Sequence, residues 1–235
     1  MKAGARPFNL HPNQKMLRAP FFLLIAALGV AGHAQEVSPA LAGTLDGGVY
    51  TSPTNAFRIP VPVLPELGGR VRDTDHVVMF KDSFATQISI GAFKQDATQR
   101  WQLSTRGTKE YLEYFFATFV LADFKQYCPA AHIESAGFAA EYLDGALFCY
   151  VLLPGGSMFG DQLAFSPAGP PPVAKRGNLV FVRNGYTFVV SSELAEKVTE
   201  GTRYNKTVEE EDKILRKRLV EVVAKMQFIA PAPAK

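Results

Sequence analysis

Residues that most often carry chemistry are scarce in this 235-residue chain, which has two cysteines, four histidines and one tryptophan. The cysteines, Cys128 and Cys149, lack the C-x-x-C spacing that lowers a thiol pKa, which argues for a structural role over a dithiol redox centre. No H-x-x-x-H pair, EF-hand loop or glycine-rich phosphate fingerprint is present, and no cofactor is expected. No apolar run reaches the roughly 20 residues that span a bilayer. Neither sign of charge dominates, with 25 Lys and Arg against 22 Asp and Glu.

The longest apolar run, Phe21 to Val30, follows Lys2, Arg6, Lys15 and Arg18 and precedes the small residues of Gly32-His33-Ala34. That order predicts a secretory signal over residues 1–34, cleaved to leave a periplasmic or secreted domain; membrane attachment is expected only if the leader stays uncleaved. The polar stretch before Met16 is long for a signal, and Met16 is the expected start of translation. The leader takes four of the 25 basic residues and no acidic one, leaving 21 against 22 and a net charge of −1. The basic pI therefore belongs to the leader, and no nucleic-acid partner is expected. His11 and His33 lie in the leader too, so His76 and His132 are the histidines left for catalysis or metal binding.

In an oxidising compartment an even pair of cysteines predicts one disulfide, Cys128 to Cys149, tying a helix end to the middle of a strand. Two buried free thiols are the alternative.

The stretch "LVFVRNGYTFVVSS", 179–192, predicts a β-hairpin, because Asn184-Gly185 suits a two-residue turn needing positive φ at both positions. Tight closure sets Arg183 opposite Tyr186, Phe181 opposite Phe188 and Leu179 opposite Val190 on one face, with Val180, Val182, Thr187 and Val189 on the other. Both faces are apolar, which places the hairpin inside a sheet covered on both sides. Residues 35–47 read as a flexible lead-in. "GVYTSP" and "FRIPVPV" read as short edge pieces limited by proline. "HVVMFKD" and "FATQISIGAF" are strand-like. Leu112, Phe115, Phe116 and Phe119 mark the apolar face of one helix over about 108–125. Strands follow around 136–142 and at 146–153. Residues 154–176, rich in proline and glycine, read as a long loop. A capping box at Thr207 to Glu210 opens a C-terminal helix with the stripe Val208, Leu215, Leu219, Val222 and Met226, and its "EEEDK" run reads as a solvated face carrying the pairs Glu209–Lys213 and Asp212–Arg216. The expected whole is one α+β domain over 48–228, an antiparallel sheet flanked by helices, with a frayed tail at 229–235.

"GVYTSPTNAFRIPVP" (48–62), "VVMFKDSFATQISI" (77–90) and the late hairpin before a long helix together resemble the PsbP/Mog1-like superfamily, in its exported bacterial branch. The resemblance covers about 48–228. It implies an α-β-α sandwich that binds other proteins or stabilises a complex, without catalytic residues.

Candidate site residues are few. "DTDH" could place Asp73, Asp75 and His76 around a metal, although a polar turn before a strand has the same composition. "GGSMFG" approximates a nucleophile elbow around Ser157, but Phe159 stands where that motif needs glycine. Trp101, beside Arg100 and Arg106 in a polar connection, suits a protein or glycan contact, with burial as a core anchor the alternative. Asn205-Lys206-Thr207 is formally a glycosylation sequon, with Thr207 read first as a cap. The expectation drawn from these is a non-catalytic exported domain that engages a protein partner in the cell envelope. A small-ligand or metal-binding protein, with a pocket around His76 and His132 and a hydrolase activity conceivable, is the competing reading.

Overall fold

The computed structural model describes residues 40–83, 86–155 and 173–230. The leader, Ser157, most of the long loop and the last residues fall outside them.

Two antiparallel sheets organise the chain. The smaller has the order β1-β2-β3-β11, from Thr44–Asp46, Val49–Thr51, Phe57–Pro60 and Gln227–Phe228. The expected lead-in thus includes a strand, and Ala42 and Gly43 are fastened by their backbone N–H groups to Asp73. The larger sheet has the order β4-β5-β6-β10-β9-β8-β7. Its strands are β4 (Arg70–Asp73), β5 (Val77–Lys81), β6 (Gln87–Lys94), β7 (His132–Ala139), β8 (Ala146–Pro154), β9 (Val173–Arg183) and β10 (Tyr186–Glu193).

The hairpin turns at Asn184 and Gly185 with φ of 51° and 75°, and its register pairs Arg183 with Tyr186, Phe181 with Phe188 and Leu179 with Val190, as the two-residue turn dictates. It lies centrally in the sheet, between β6 and β8. β9 starts at Val173, so residues 173–176, expected in a loop, continue the ladder opposite Glu193 and Pro154.

Alternation along the strands builds two cores. Leu179, Phe181, Phe188 and Val190 share one with Phe148, Phe57 and Tyr50, and the helix α5 (Val208–Ala224) covers it through Leu215, Leu219, Val222 and Val223. Gly177 lets α5 approach closely, because a Cβ there would lie 3.0 Å from Leu215. On the opposite face Val180, Val189, Leu147 and Val151 pack against Tyr111, Leu112, Phe115 and Phe116. A short helix α4 (Ala195–Thr199) follows β10.

The helix expected over 108–125 is present, but with a π turn inside it, and a further helix precedes it. α1 (Ala97–Arg106) starts at a capping box between Asp96 and Gln99, and takes in the supposed connection around Trp101. Gly107, with φ of 80°, breaks it from α2 (Thr108–Phe115). A π-helical turn, Phe116–Val120, then leads into α3 (Leu121–Tyr127), with the Leu121 N–H donating to the Phe116 carbonyl five residues back. The extra residue in this turn rotates α3 relative to α2 and brings Asp123 and Phe124 over the sheet.

Candidate functional site

The expected site residues do not converge. His76 precedes β5 and His132 begins β7, on strands five spacings apart in the sheet, which at ~4.8 Å each is roughly 24 Å. Both are exposed. Asp73, Asp75 and His76 belong to the β4–β5 turn. Asp73 accepts from the Ala42 and Gly43 N–H groups and from the Tyr50 hydroxyl, at 2.7 to 2.9 Å, while the Thr74 hydroxyl accepts from the Val77 N–H. Asp73 therefore anchors the small sheet. Among the described residues no group of three or more His, Cys, Asp or Glu is placed to hold a metal ion.

The disulfide does not form; both cysteines are free and buried. Cys128 follows α3 and its thiol donates to the Pro154 carbonyl at 3.3 Å, at the far end of β8 from Cys149. Five residues of extended strand separate the two levels, about 16 Å, whereas a disulfide needs Cα atoms within roughly 7 Å. Burial pushes the Cys149 thiol up to about 12, with Glu113 adding to it, so this cysteine is inert at neutral pH.

Trp101 sits on α1 and is 62% exposed. Its neighbours are held by their own chain: Arg100 donates to the Gln95 carbonyl at 2.5 Å, and the Arg106 guanidinium lies 5.3 Å from the Tyr114 ring centre.

What the sequence did not disclose is a pair of buried ionic centres, one on each face of β9. Adjacent strand residues point to opposite faces, so Lys175 faces α5 and Arg176 faces α3. Lys175 is fully buried and pairs with Glu134 at 2.5 Å, Asp212 at 2.7 Å and Glu211 at 2.9 Å. Glu211 also takes Lys197 at 2.6 Å, and the Ser135 hydroxyl donates to Asp212. Burial alone would lower the Lys175 pKa, but the three carboxylates outweigh it and raise it. Burial likewise pushes Glu211 up, and its two lysines bring it below the usual carboxylate value. The "EEEDK" run is thus not wholly a solvated face: Glu211 is buried, and Asp212 is paired with Lys175.

On the other face Arg176 donates to Glu193 at 3.3 Å and to the Ser89 hydroxyl at 2.6 Å, and lies 5.4 Å from the centre of the Phe124 ring. The ladder places Ser89 opposite Ser191 and Ser191 opposite Asn178, so a row of small polar groups crosses three strands. Ser191 donates to the Asn178 side chain at 2.8 Å, which donates in turn to the Cys149 carbonyl at 3.2 Å. Above this row the π turn and α3 enclose a cavity of about 40 Å3 with Phe119, Val120, Phe124, Val189 and Asp123 in its walls. Asp123 is 5% exposed, and its Oδ1 has no hydrogen-bond partner among the described residues. Burial raises its pKa to about 6, with Arg176 opposing the rise.

A water needs roughly 10 to 15 Å3 of such volume, so this cavity has room for a few waters but not for an organic substrate. Its walls contain no histidine, cysteine or lysine to act with Ser89 or Ser191, whose hydroxyls already serve Arg176 and Asn178. The hollow beside His76 has no room at all. Reading the hairpin's alternation four residues further back, through Asn178 and Gly177, would have placed Lys175 and Arg176 on opposite faces.

No family model matches the chain, and no curated protein does. Among solved structures the chain is similar to cyanobacterial PsbP (CyanoP) of Synechocystis sp. PCC 6803, at 13% identity, covering 86% of this chain and 99% of that one with a TM-score of 0.45. It is similar to the Ran-binding protein Mog1p of Saccharomyces cerevisiae at 10% identity, covering 81% and 97%, with a TM-score of 0.46. A third similar structure, from Bacteroides thetaiotaomicron VPI-5482, is 12% identical over 79% of this chain with a TM-score of 0.36, and the chain spans 49% of its length. PsbP and Mog1 are the proteins for which the superfamily resembled by the sequence is named. The likeness is one of chain path and says nothing of partner or activity.

Proposed function

We propose that the chain is an exported, non-catalytic domain that works by binding a protein of the cell envelope, with the α1 face around Trp101 as its contact. The observation that carries this reading is Trp101 itself, 62% exposed on a helix none of whose residues is buried. A ten-residue helix that buries none of its residues fully, and meets the core through the half-buried Leu103, is held mainly by its capping box and its neighbour α2. Tryptophan is enriched at the energetic centres of protein interfaces, where it exchanges a large hydrated surface for a partner pocket. The leader composition supports export, and the two hollows among the described residues, neither with room for an organic substrate, support binding over catalysis.

A photo-reactive residue placed at position 101 should give a discrete crosslinked partner in intact cells, while the same residue at Lys217, on the opposite helix, should not. Equal crosslinking from both positions, or none from 101 with the protein at its normal level, would remove the α1 face from consideration. Recovery of the protein in the cytoplasm with its leader intact would remove the export half.

A further inference from the structure

We infer that the cavity beneath the π turn is a recognition pocket for the tip of a primary alkylammonium group, received by the Asp123 carboxylate. The observation that carries it is a buried carboxyl left without a partner. Asp123 is 5% exposed and stands in the wall of the cavity, and its Oδ1 has no hydrogen-bond partner among the described residues. Arg176 acts on it through space but forms its ion pair with Glu193, so one cation stands beside two carboxylates on this face of β9. A buried charge without close pairing is destabilising, and an incoming cation at Asp123 removes that cost.

The walls select the occupant. Val77, Phe119, Val120, Phe124 and Val189 are apolar, and the hydroxyls of Ser89 and Ser191 already serve Arg176 and Asn178. A metal ion, which takes several oxygen or nitrogen ligands, finds too few of them here. At 10 to 15 Å3 for each water-sized atom, the cavity of about 40 Å3 admits about three heavy atoms, a nitrogen and two methylenes. A guanidinium, with its branched plane of nitrogens, and a quaternary ammonium are too broad. Val77, Phe93, Phe119 and Phe124 are half-buried and form the mouth, against which the remaining methylenes of a longer chain would lie. An apolar stem ending in one small charge has both parts that such a pocket accommodates.

The π turn makes this arrangement, since its extra residue turns Asp123 into a layer otherwise filled by Phe115, Phe116 and Val120. A fold with no use for the carboxyl would complete that layer with another apolar residue; a buried polar group left unsatisfied is accounted for by a ligand that satisfies it. Primary alkylammonium groups occur at the ends of lysine side chains and as free small amines, and both present the same chemistry to the pocket. The pocket is built from α3 and the sheet and does not depend on the α1 contact.

The test uses the purified chain at neutral pH, with amide NMR spectra recorded during titration with small probes. n-Butylammonium should shift the amides of residues 119–124 and 189–191. It should bind about tenfold more tightly than n-butanol, which has the stem without the charge, and than tetramethylammonium, which has the charge without the slender shape. Asp123→Asn should weaken n-butylammonium about tenfold and leave n-butanol unchanged, because the charge-assisted bond is lost and the apolar contact kept. Equal affinity for n-butylammonium and n-butanol, no shifts at those residues, or unchanged affinity in the folded Asp123→Asn variant would each overturn the proposal. Binding of N-acetyl-lysine methylamide as tight as that of n-butylammonium would assign the pocket to a lysine of a partner protein; its refusal, with n-butylammonium still bound, would assign it to a free amine. Trp101→Ala should alter none of these affinities, so failure of the crosslinking experiment would leave this pocket standing.

Discussion

Lys175 and Arg176 are neighbours in one strand, both are buried cations, and they behave differently because the strand turns them to opposite faces. On the α5 side Lys175 is closed in by three carboxylates, and a second lysine completes the charge balance on Glu211. On the α3 side Arg176 has Glu193, a serine hydroxyl and a phenylalanine ring, and the π turn leaves a cavity beside it with a buried carboxyl raised to about 6. Desolvated charges cost several kcal/mol each, and only near-complete pairing offsets that. The Lys175 face meets the condition and serves as a clasp between α5, β7 and β9. The Arg176 face differs in leaving space, a small cavity under the π turn with the buried Asp123 carboxyl in its wall.

The largest break in this comparison is Lys175→Met. It strands Glu134, Glu211 and Asp212 together without their central cation, and should cost about 3 to 5 kcal/mol in urea unfolding at pH 7. The loss should shrink as pH falls from 7 towards 4, because carboxylates stranded together without their cation take up protons above the ordinary carboxylate range near 4. An unchanged midpoint would mean the clasp is ornamental.

Asp123→Asn sharpens the other face and should act in the opposite direction. The raised pKa means the folded state holds a proton that the unfolded state, near 3.9, has already released. Wild-type stability should therefore fall as pH rises from about 4 through 6 and level off above that. The asparagine variant lacks this slope, and above pH 7 it should be more stable by about 1 to 2 kcal/mol, allowing for the solvent that reaches the cavity. The two proteins should converge near pH 4. A difference independent of pH would show that the effect is packing and not titration.

A smaller effect separates the helix ends from the strand. Since Cys128 and Cys149 lie at different levels of β8, removing one thiol should cost only its packing, about 1 kcal/mol in Cys128→Ala, and less than the ~3 kcal/mol of a lost disulfide closure. Alkylation of the unfolded, unreduced protein should add two labels. Smallest of all is Trp101→Ala, which removes an exposed side chain and should move the melting temperature by no more than about 1 °C.

Much of the fold was legible in the chain. The hairpin register followed from Asn184-Gly185, the C-terminal helix from its capping box, and the aromatic stripe from its spacing, because each is set by interactions within a few residues. The capping box of α1, Asp96 and Gln99, is equally local, yet a polar helix shows no apolar period to mark what the box begins. The candidate sites fared worse for a reason of distance. His76 and His132 looked like partners because they were the only two histidines outside the leader, and the sheet order sets them at nearly opposite edges. Lys175 and Arg176 were lost in a proline-rich stretch whose end continues a ladder.

By itself the sequence determined the alternation of β9 and β10, the helix caps, the α+β class and the scarcity of catalytic groups, all properties of short windows or of composition. Tertiary structure alone decided that Glu211 and Asp212, in a run that looked solvated, should meet Lys175, and that the two cysteines should miss each other. The clasp depends on strand order and on how α5 lies across the sheet, and it joins Lys175 to residues 36 and 37 positions away. No local propensity acts over such a separation; the pairing is fixed only when whole faces are buried together.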